Sequence, residues 1–126
     1  MMLASFRQNF MKKKYYKIES SNSRRVDDSY DHCDFEGFSE TDAKKAFITS
    51  QVDAKRELES DYYKGDDSID VIFSVYEIPD DIDLELIDSF EDYLIKQQSC
   101  NVVKYDSKHG YDIVLEDGSV YEKSSN

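Results

Sequence analysis

Four side chains supply all of the soft metal-ligand chemistry in this sequence: His32, Cys33, Cys100 and His109. Two cysteines and two histidines are the ligand set of a tetrahedral structural zinc site. Two of them lie in a predicted loop and two flank a predicted strand, so a zinc ion would join the loop to the following hairpin. No Cys-x-x-Cys or His-x-x-x-His pair is present, and the competing interpretation is two buried free cysteines and two surface histidines. Structural zinc is therefore kept as a hypothesis for these four residues.

Other patterns for ion binding or catalysis are weaker. Residues 27–37 are rich in oxygen ligands, but they lack the glycine at position six and the glutamate at position twelve of an EF-hand loop. The sequence contains no Gly-x-Ser-x-Gly element and no glycine-rich phosphate loop. With 28 acidic residues in the chain, a carboxylate pair that resembles a general acid and base arises by chance. We therefore predict that the protein is not an enzyme.

Acidic residues are concentrated in one part of the chain. The net charge is −12, and residues 57–92 hold fourteen acidic residues against Lys64 alone. A rigid array of carboxylates can imitate the phosphates of nucleic acid and attract lysine and arginine side chains. The alternative is a solvated surface that only keeps the protein in solution. The partner-binding residues that we predict are Asp66, Asp67, Asp70, Asp80, Asp81, Asp83, Glu85, Asp88, Glu91 and Asp92.

Hydrophobic periodicity and turn signals predict an α+β fold. Ser39 is a predicted helix N-cap, with Asp42 in the capping-box position, and that helix is expected to break near residue 50. Residues 82–97 show an apolar stripe that predicts a second helix, and residues 69–78 predict a central strand buried on both faces. Residues 26–38 are predicted to be irregular, and turns are predicted at residues 109–110 and 117–118. Further strands are predicted at residues 14–19, 101–105, 111–116 and 119–122.

These elements give the order β-α-β-α-β-β-β. We expect a mostly antiparallel sheet with two main helices packed on one face. The length predicts a single domain over residues 1–126, with residues 1–12 as a flexible N-terminal extension. No apolar stretch reaches about 18 residues and no signal-peptide pattern is present, so the expected location is the cytoplasm of a bacterial host cell. Because the chain is acidic, we expect it to bind neither nucleic acid nor membrane directly.

The overall profile resembles that of phage-encoded anti-CRISPR proteins that inhibit Cas9. The shared features are small size, acidity, ten tyrosines, a Met-Lys-Lys-Lys run from Met11 and a compact α+β pattern. That group has no common motif, so the resemblance assigns no functional residue. It implies direct binding to Cas9, either in competition with DNA or by locking a domain. The alternative function is an immunity or antitoxin-type protein that neutralises a basic toxin by the same electrostatics.

Overall fold

In the part of the chain that the structure describes, a five-stranded antiparallel sheet carries one helix on one face. The computed structural model describes residues 12–23 and 30–124. The sheet order is β2-β1-β3-β4-β5, and each pair of neighbouring strands is antiparallel. The elements are β1 (Lys12–Ser23), β2 (Tyr30–Gly37), α1 (Glu40–Leu58), β3 (Ser68–Pro79), β4 (Leu94–Ser107) and β5 (Gly110–Glu122), with 3₁₀ turns at Leu84–Leu86 and Glu91–Tyr93.

Strand β3 occupies the centre of the sheet and is covered on both faces. Ile69, Val71 and Phe73 join the core beneath α1, on what we call the helix face. Tyr76 and Ile78 point the opposite way, into a second apolar cluster on what we call the far face. Alternate side chains of a strand point to opposite faces, so both clusters can share one strand. The prediction of a central strand that is buried on both faces is confirmed.

Helix α1 begins where the sequence predicted and runs without interruption. The Ser39 Oγ atom accepts the Asp42 backbone N–H at 3.1 Å, which confirms the predicted N-cap. Ala54 and Leu58 are buried against the sheet. The predicted break near residue 50 is wrong, because the β-branched Ile48 lies on the exposed side of a continuous helix.

The prediction of two helices is wrong, and so is the predicted element order. The observed order is β-β-α-β-β-β. Residues 82–97 form two separate 3₁₀ turns and the start of β4 instead of a second helix. The apolar side chains of this segment cover the far-face cluster at intervals along the sheet. Alternation of acidic and apolar residues from Asp81 to Leu86 is compatible with this extended path.

The structure confirms one further local prediction and contradicts two. Residues 30–37 are strand β2, although they were predicted to be irregular. The turn at residues 109–110 is confirmed, with Gly110 at a φ of 120°. The predicted turn at residues 117–118 is wrong, because β5 continues through it with a register shift opposite Gln98 and Cys100. A Cβ atom at Gly118 would collide with Ser99 Oγ, so glycine permits this irregular pairing. Of the predicted N-terminal extension only Lys12, the first residue of β1, lies within the described residues.

Lys104 fixes the connection between α1 and β3. Its side chain is buried, and its Nζ atom donates to the backbone carbonyls of Ser60 at 3.0 Å and Tyr63 at 2.9 Å. The same ammonium group lies 4.4 Å from the centre of the Tyr111 ring. A buried ammonium needs such partners, since desolvation of an unpaired charge is costly. Lys104 therefore ties the loop after α1 to strands β4 and β5.

Candidate functional site

A segment that we call the acidic strap, residues 80–93, crosses the far face of the sheet between β3 and β4. Its apolar side chains other than Leu86 are partly buried and hold the segment down. Ile82, Leu84, Ile87, Phe90 and Tyr93 pack against the buried side chains of Tyr15, Tyr76 and Ile78. The strap is therefore part of the packed structure and has one side that faces solvent.

Phe90 is the central anchor of the strap. Its ring is stacked on Tyr15, with centroids 5.4 Å apart and planes 11° apart, and lies 5.4 Å from the ring of Tyr76. The Lys17 Nζ atom lies 3.9 Å from the centre of the Phe90 ring, within the range of a cation–π interaction. The anchor thus combines apolar burial, two aromatic contacts and one cation.

The two tyrosines beneath the strap favour their neutral forms. Burial, followed by the hydrogen bond that Tyr15 donates to Glu36 Oε2 at 2.9 Å, raises the pKa of the Tyr15 hydroxyl. Burial also raises the pKa of Tyr76. The floor of the strap therefore adds no negative charge at neutral pH, and the charge of this surface comes from the carboxylates above it.

Short polar side chains fix the two 3₁₀ turns of the strap. Asp83 Oδ1 accepts the Glu85 backbone N–H at 3.0 Å, and Ser89 Oγ accepts the Glu91 backbone N–H at 3.2 Å. Leu86, which ends the first turn, is 78% exposed and points into solvent. These bonds limit the conformations of the strap, and they present an apolar side chain in the middle of an acidic surface.

Seven carboxylates occupy the exposed side of the strap, and residues 80–93 contain no lysine or arginine. The described residues place no cation within 4.0 Å of these carboxylates; the nearby Lys12 pairs instead with Glu77 at 3.9 Å. Lys17 lines a shallow depression of about 360 Å³ together with Asp88 and Glu91. The seven acidic residues are Asp80, Asp81, Asp83, Glu85, Asp88, Glu91 and Asp92.

The other three predicted binding residues lie elsewhere. Asp66 and Asp67 precede β3 and Asp70 lies near its start, whereas the strap follows its end, about 36 Å away along the strand. Asp67 is buried, and its Oδ2 atom accepts the Lys64 backbone N–H at 2.6 Å, so its role is structural. Burial raises the pKa of Asp70 on β3. The predicted acidic surface is therefore two separate groups, and only the strap forms a continuous one.

The structure does not bring the four candidate zinc ligands together. His32 and Cys100 belong to one cross-strand row, but β2 and β4 are three strand spacings apart, about 14 Å. Cys33 pairs with Glu19 and lies on the far face, whereas Cys100 is buried on the helix face. His109 lies in the turn between β4 and β5. Over residues 12–23 and 30–124, no group of three or more His, Cys, Asp or Glu side chains is placed to hold a metal ion.

The extended path of the strap and the exposure of Leu86 were not predicted. Alternation from Asp81 to Leu86 was the signal that could have shown the extended path, because it places acidic residues on one side of an extended chain. It groups Leu86 with the partly buried Ile82 and Leu84, so it gave no signal for the exposure of Leu86. A helical stripe over residues 82–97 fits the same apolar residues, so periodicity did not separate the two conformations.

Comparisons with protein-family models, with curated proteins and with solved structures give no match to this chain. Within the described ranges, no helix has the length and apolar character needed to cross a membrane. Function is therefore inferred from the geometry and charge of the strap.

Proposed function

We propose that this chain is a binding protein that inhibits a cationic nucleic-acid-binding protein, with the acidic strap as its contact surface. The observation that carries the proposal is the run of seven exposed carboxylates on a segment without a cation, held by Phe90 and its aromatic neighbours. A surface that is ordered before binding loses little conformational entropy when a partner docks. Its charge also accelerates encounter with a basic surface.

Leu86 gives the strap a means of contact besides charge. It is 78% exposed and lies between Glu85 and Asp88 in sequence. Interfaces typically combine a desolvated apolar anchor with a charged rim. On this basis the strap binds a basic surface of the partner that has a small apolar recess for Leu86. That basic surface is the one that contacts nucleic-acid phosphates when the inhibitor is absent.

Cas9 is the first partner to test, because the profile of the chain resembles that of phage-encoded Cas9 inhibitors. A strap variant carries Asp81→Asn, Glu85→Gln, Asp88→Asn and Glu91→Gln, which leaves the Asp83 cap intact. A control variant carries Glu40→Gln, Asp42→Asn, Asp53→Asn and Glu59→Gln on or next to α1, where all four side chains are exposed. Both variants lose four negative charges, so any difference between them reports the location of the charge and not its amount.

Affinity for Cas9, with and without guide RNA, is measured by biolayer interferometry at 50 and 500 mM salt. Exposed ion pairs contribute about 0.2–1 kcal/mol each, so the strap variant should bind roughly 30-fold more weakly at low salt. The α1 variant should stay within about threefold of the wild type, and wild-type affinity should fall at high salt. Equal losses in the two variants, or affinity that does not depend on salt, would refute the strap as the contact surface.

A further inference from the structure

The outer edge of β5 is a second surface with the properties of a binding site. This strand is thirteen residues long, and all of its residues except Ile113 are exposed. Among the described residues β4 is its one neighbouring strand, because β5 ends the sheet. The backbone N–H and C=O groups on its outer side therefore face solvent over most of its length.

Over residues 110–117, strand β5 lacks several of the features that usually protect a sheet edge. Natural edges are kept from pairing by short length, proline, charged side chains (lysine above all) or bulges. Strand β5 contains no proline, lysine or arginine, and its register with β4 is unbroken from Gly110 to Asp117. The opposite edge, β2, has only eight residues and is interrupted by a register shift beside Glu19. The unprotected edge is thus confined to one side of the sheet.

The side chains of β5 indicate the kind of strand that would fit. On the far face Asp112 and Glu116 alternate with Val114, while Tyr111 and Leu115 are exposed on the other face. A second copy of this chain would bring carboxylates against carboxylates, and like charges opposite each other destabilise a strand pair. An extended segment that alternates basic and apolar residues would place opposite charges side by side.

We propose that the β5 edge accepts an extended basic segment of a partner protein as a sixth strand of the sheet. The backbone pairing is centred on residues 110–117, where lysine or arginine side chains meet Asp112 and Glu116 on the far face. Main-chain hydrogen bonds supply affinity in this type of recognition, and alternate side chains supply selectivity. The site uses neither the strap nor its partner, so a negative result at the β5 edge would not affect the function proposed above.

The probe is a synthetic nonapeptide that alternates lysine and valine, titrated into ¹⁵N-labelled full-length protein. The expected result is slower hydrogen exchange at alternate amides of residues 110–117, with chemical-shift changes centred on β4 and β5. The control peptide has the same side chains and charge, but its backbone amides are N-methylated and cannot donate. Equal binding of the control peptide, or an absence of slowed exchange on β5, would show attraction to net charge alone and overturn the proposal.

Two variants of equal charge change locate the site. Glu116→Lys should weaken peptide binding about tenfold or more, whereas Asp31→Lys, on the opposite edge strand, should change it by less than about threefold. Glu116→Gln, with its smaller charge change, provides the same comparison if the lysine variant fails to fold. Equal weakening by the Glu116 and Asp31 variants overturns the proposal. So does sedimentation that shows the unliganded protein dimerising through β5, since a second copy would then occupy the edge.

Discussion

Replacement of Phe90 by alanine should destabilise the whole domain, because the strap is packed onto the sheet and not merely tethered to it. The ring of Phe90 is stacked on Tyr15, touches Tyr76 and lies 3.9 Å below the Lys17 ammonium group. A fully buried Phe→Ala change costs about 3–5 kcal/mol. Phe90 is only partly buried, but aromatic pairs contribute a further 0.5–1.5 kcal/mol or so and the cation–π contact about 0.5–1 kcal/mol. We therefore expect Phe90→Ala to lower the free energy of unfolding by about 3 kcal/mol.

Leu86 provides the matched control within the same strap. It is 78% exposed, so Leu86→Ala should change the free energy of unfolding by less than about 0.5 kcal/mol. Unfolding in urea is followed by circular dichroism and tyrosine fluorescence, since the chain has ten tyrosines and no tryptophan. The difference in unfolding free energy between the two variants reports the contribution of buried packing, because both variants shorten one apolar side chain of the strap.

A loss of less than about 1 kcal/mol in Phe90→Ala, or a loss equal to that in Leu86→Ala, would contradict the packing role of Phe90. Hydrogen exchange identifies the cause in that case. Faster exchange of strap amides with an unchanged urea midpoint would mean that the strap opens as a separate unit. A strap that opens independently would also not be ordered before a partner binds, and that order supports its proposed role.

Three other changes test the packing more locally. Lys104→Met should lower the free energy of unfolding by about 2–4 kcal/mol, because two backbone carbonyls lose a charged donor. Lys108 is exposed, so Lys108→Met should change the free energy of unfolding little. Urea unfolding of both variants tests this difference. Gly118→Ala should lower the free energy of unfolding by about 1–3 kcal/mol, because the new Cβ atom collides with Ser99. Adding Ser99→Ala to the same chain should recover part of this loss, as measured by thermal melting of the two single variants and the double variant. Folding raises the pKa of the Tyr15 hydroxyl, so its contribution to stability is complete below pH 10 and is lost as the pH rises further. Tyr15→Phe should therefore flatten the fall in unfolding free energy above about pH 10, and an unchanged slope would contradict this assignment.

Signals that act over a few residues were sufficient to predict several elements. Ser39 was identified as an N-cap because its side chain can bond to a backbone N–H three residues ahead, and the structure shows that bond. The apolar residues of β3 occur on both sides of the strand, which already indicates burial on two faces. The glycine of the β4–β5 turn adopts the positive φ that this position requires.

The strap could not be predicted in the same way, because its conformation depends on the surface that it covers. Ile87, Phe90 and Leu94 fit a helical stripe as well as they fit contacts along a sheet. The far-face cluster of Tyr15, Tyr76 and Ile78 makes the extended path favourable, and Tyr15 is distant in sequence from the strap. Tertiary packing therefore decided between two conformations that periodicity alone left equal.

The same packing divides the predicted acidic residues into solvent-exposed carboxylates and buried carboxylates with a structural role. Net charge over residues 57–92 cannot distinguish Asp67, which is buried and accepts a backbone N–H, from Asp88, which is exposed on the strap. A buried carboxylate that already has a hydrogen-bond donor cannot recruit a partner without breaking that bond. The exposed strap carboxylates other than Asp83 incur no such loss, and their apolar neighbours hold them in place. Binding energy should therefore follow the solvent-facing residues between β3 and β4, and not the total acidity of the chain.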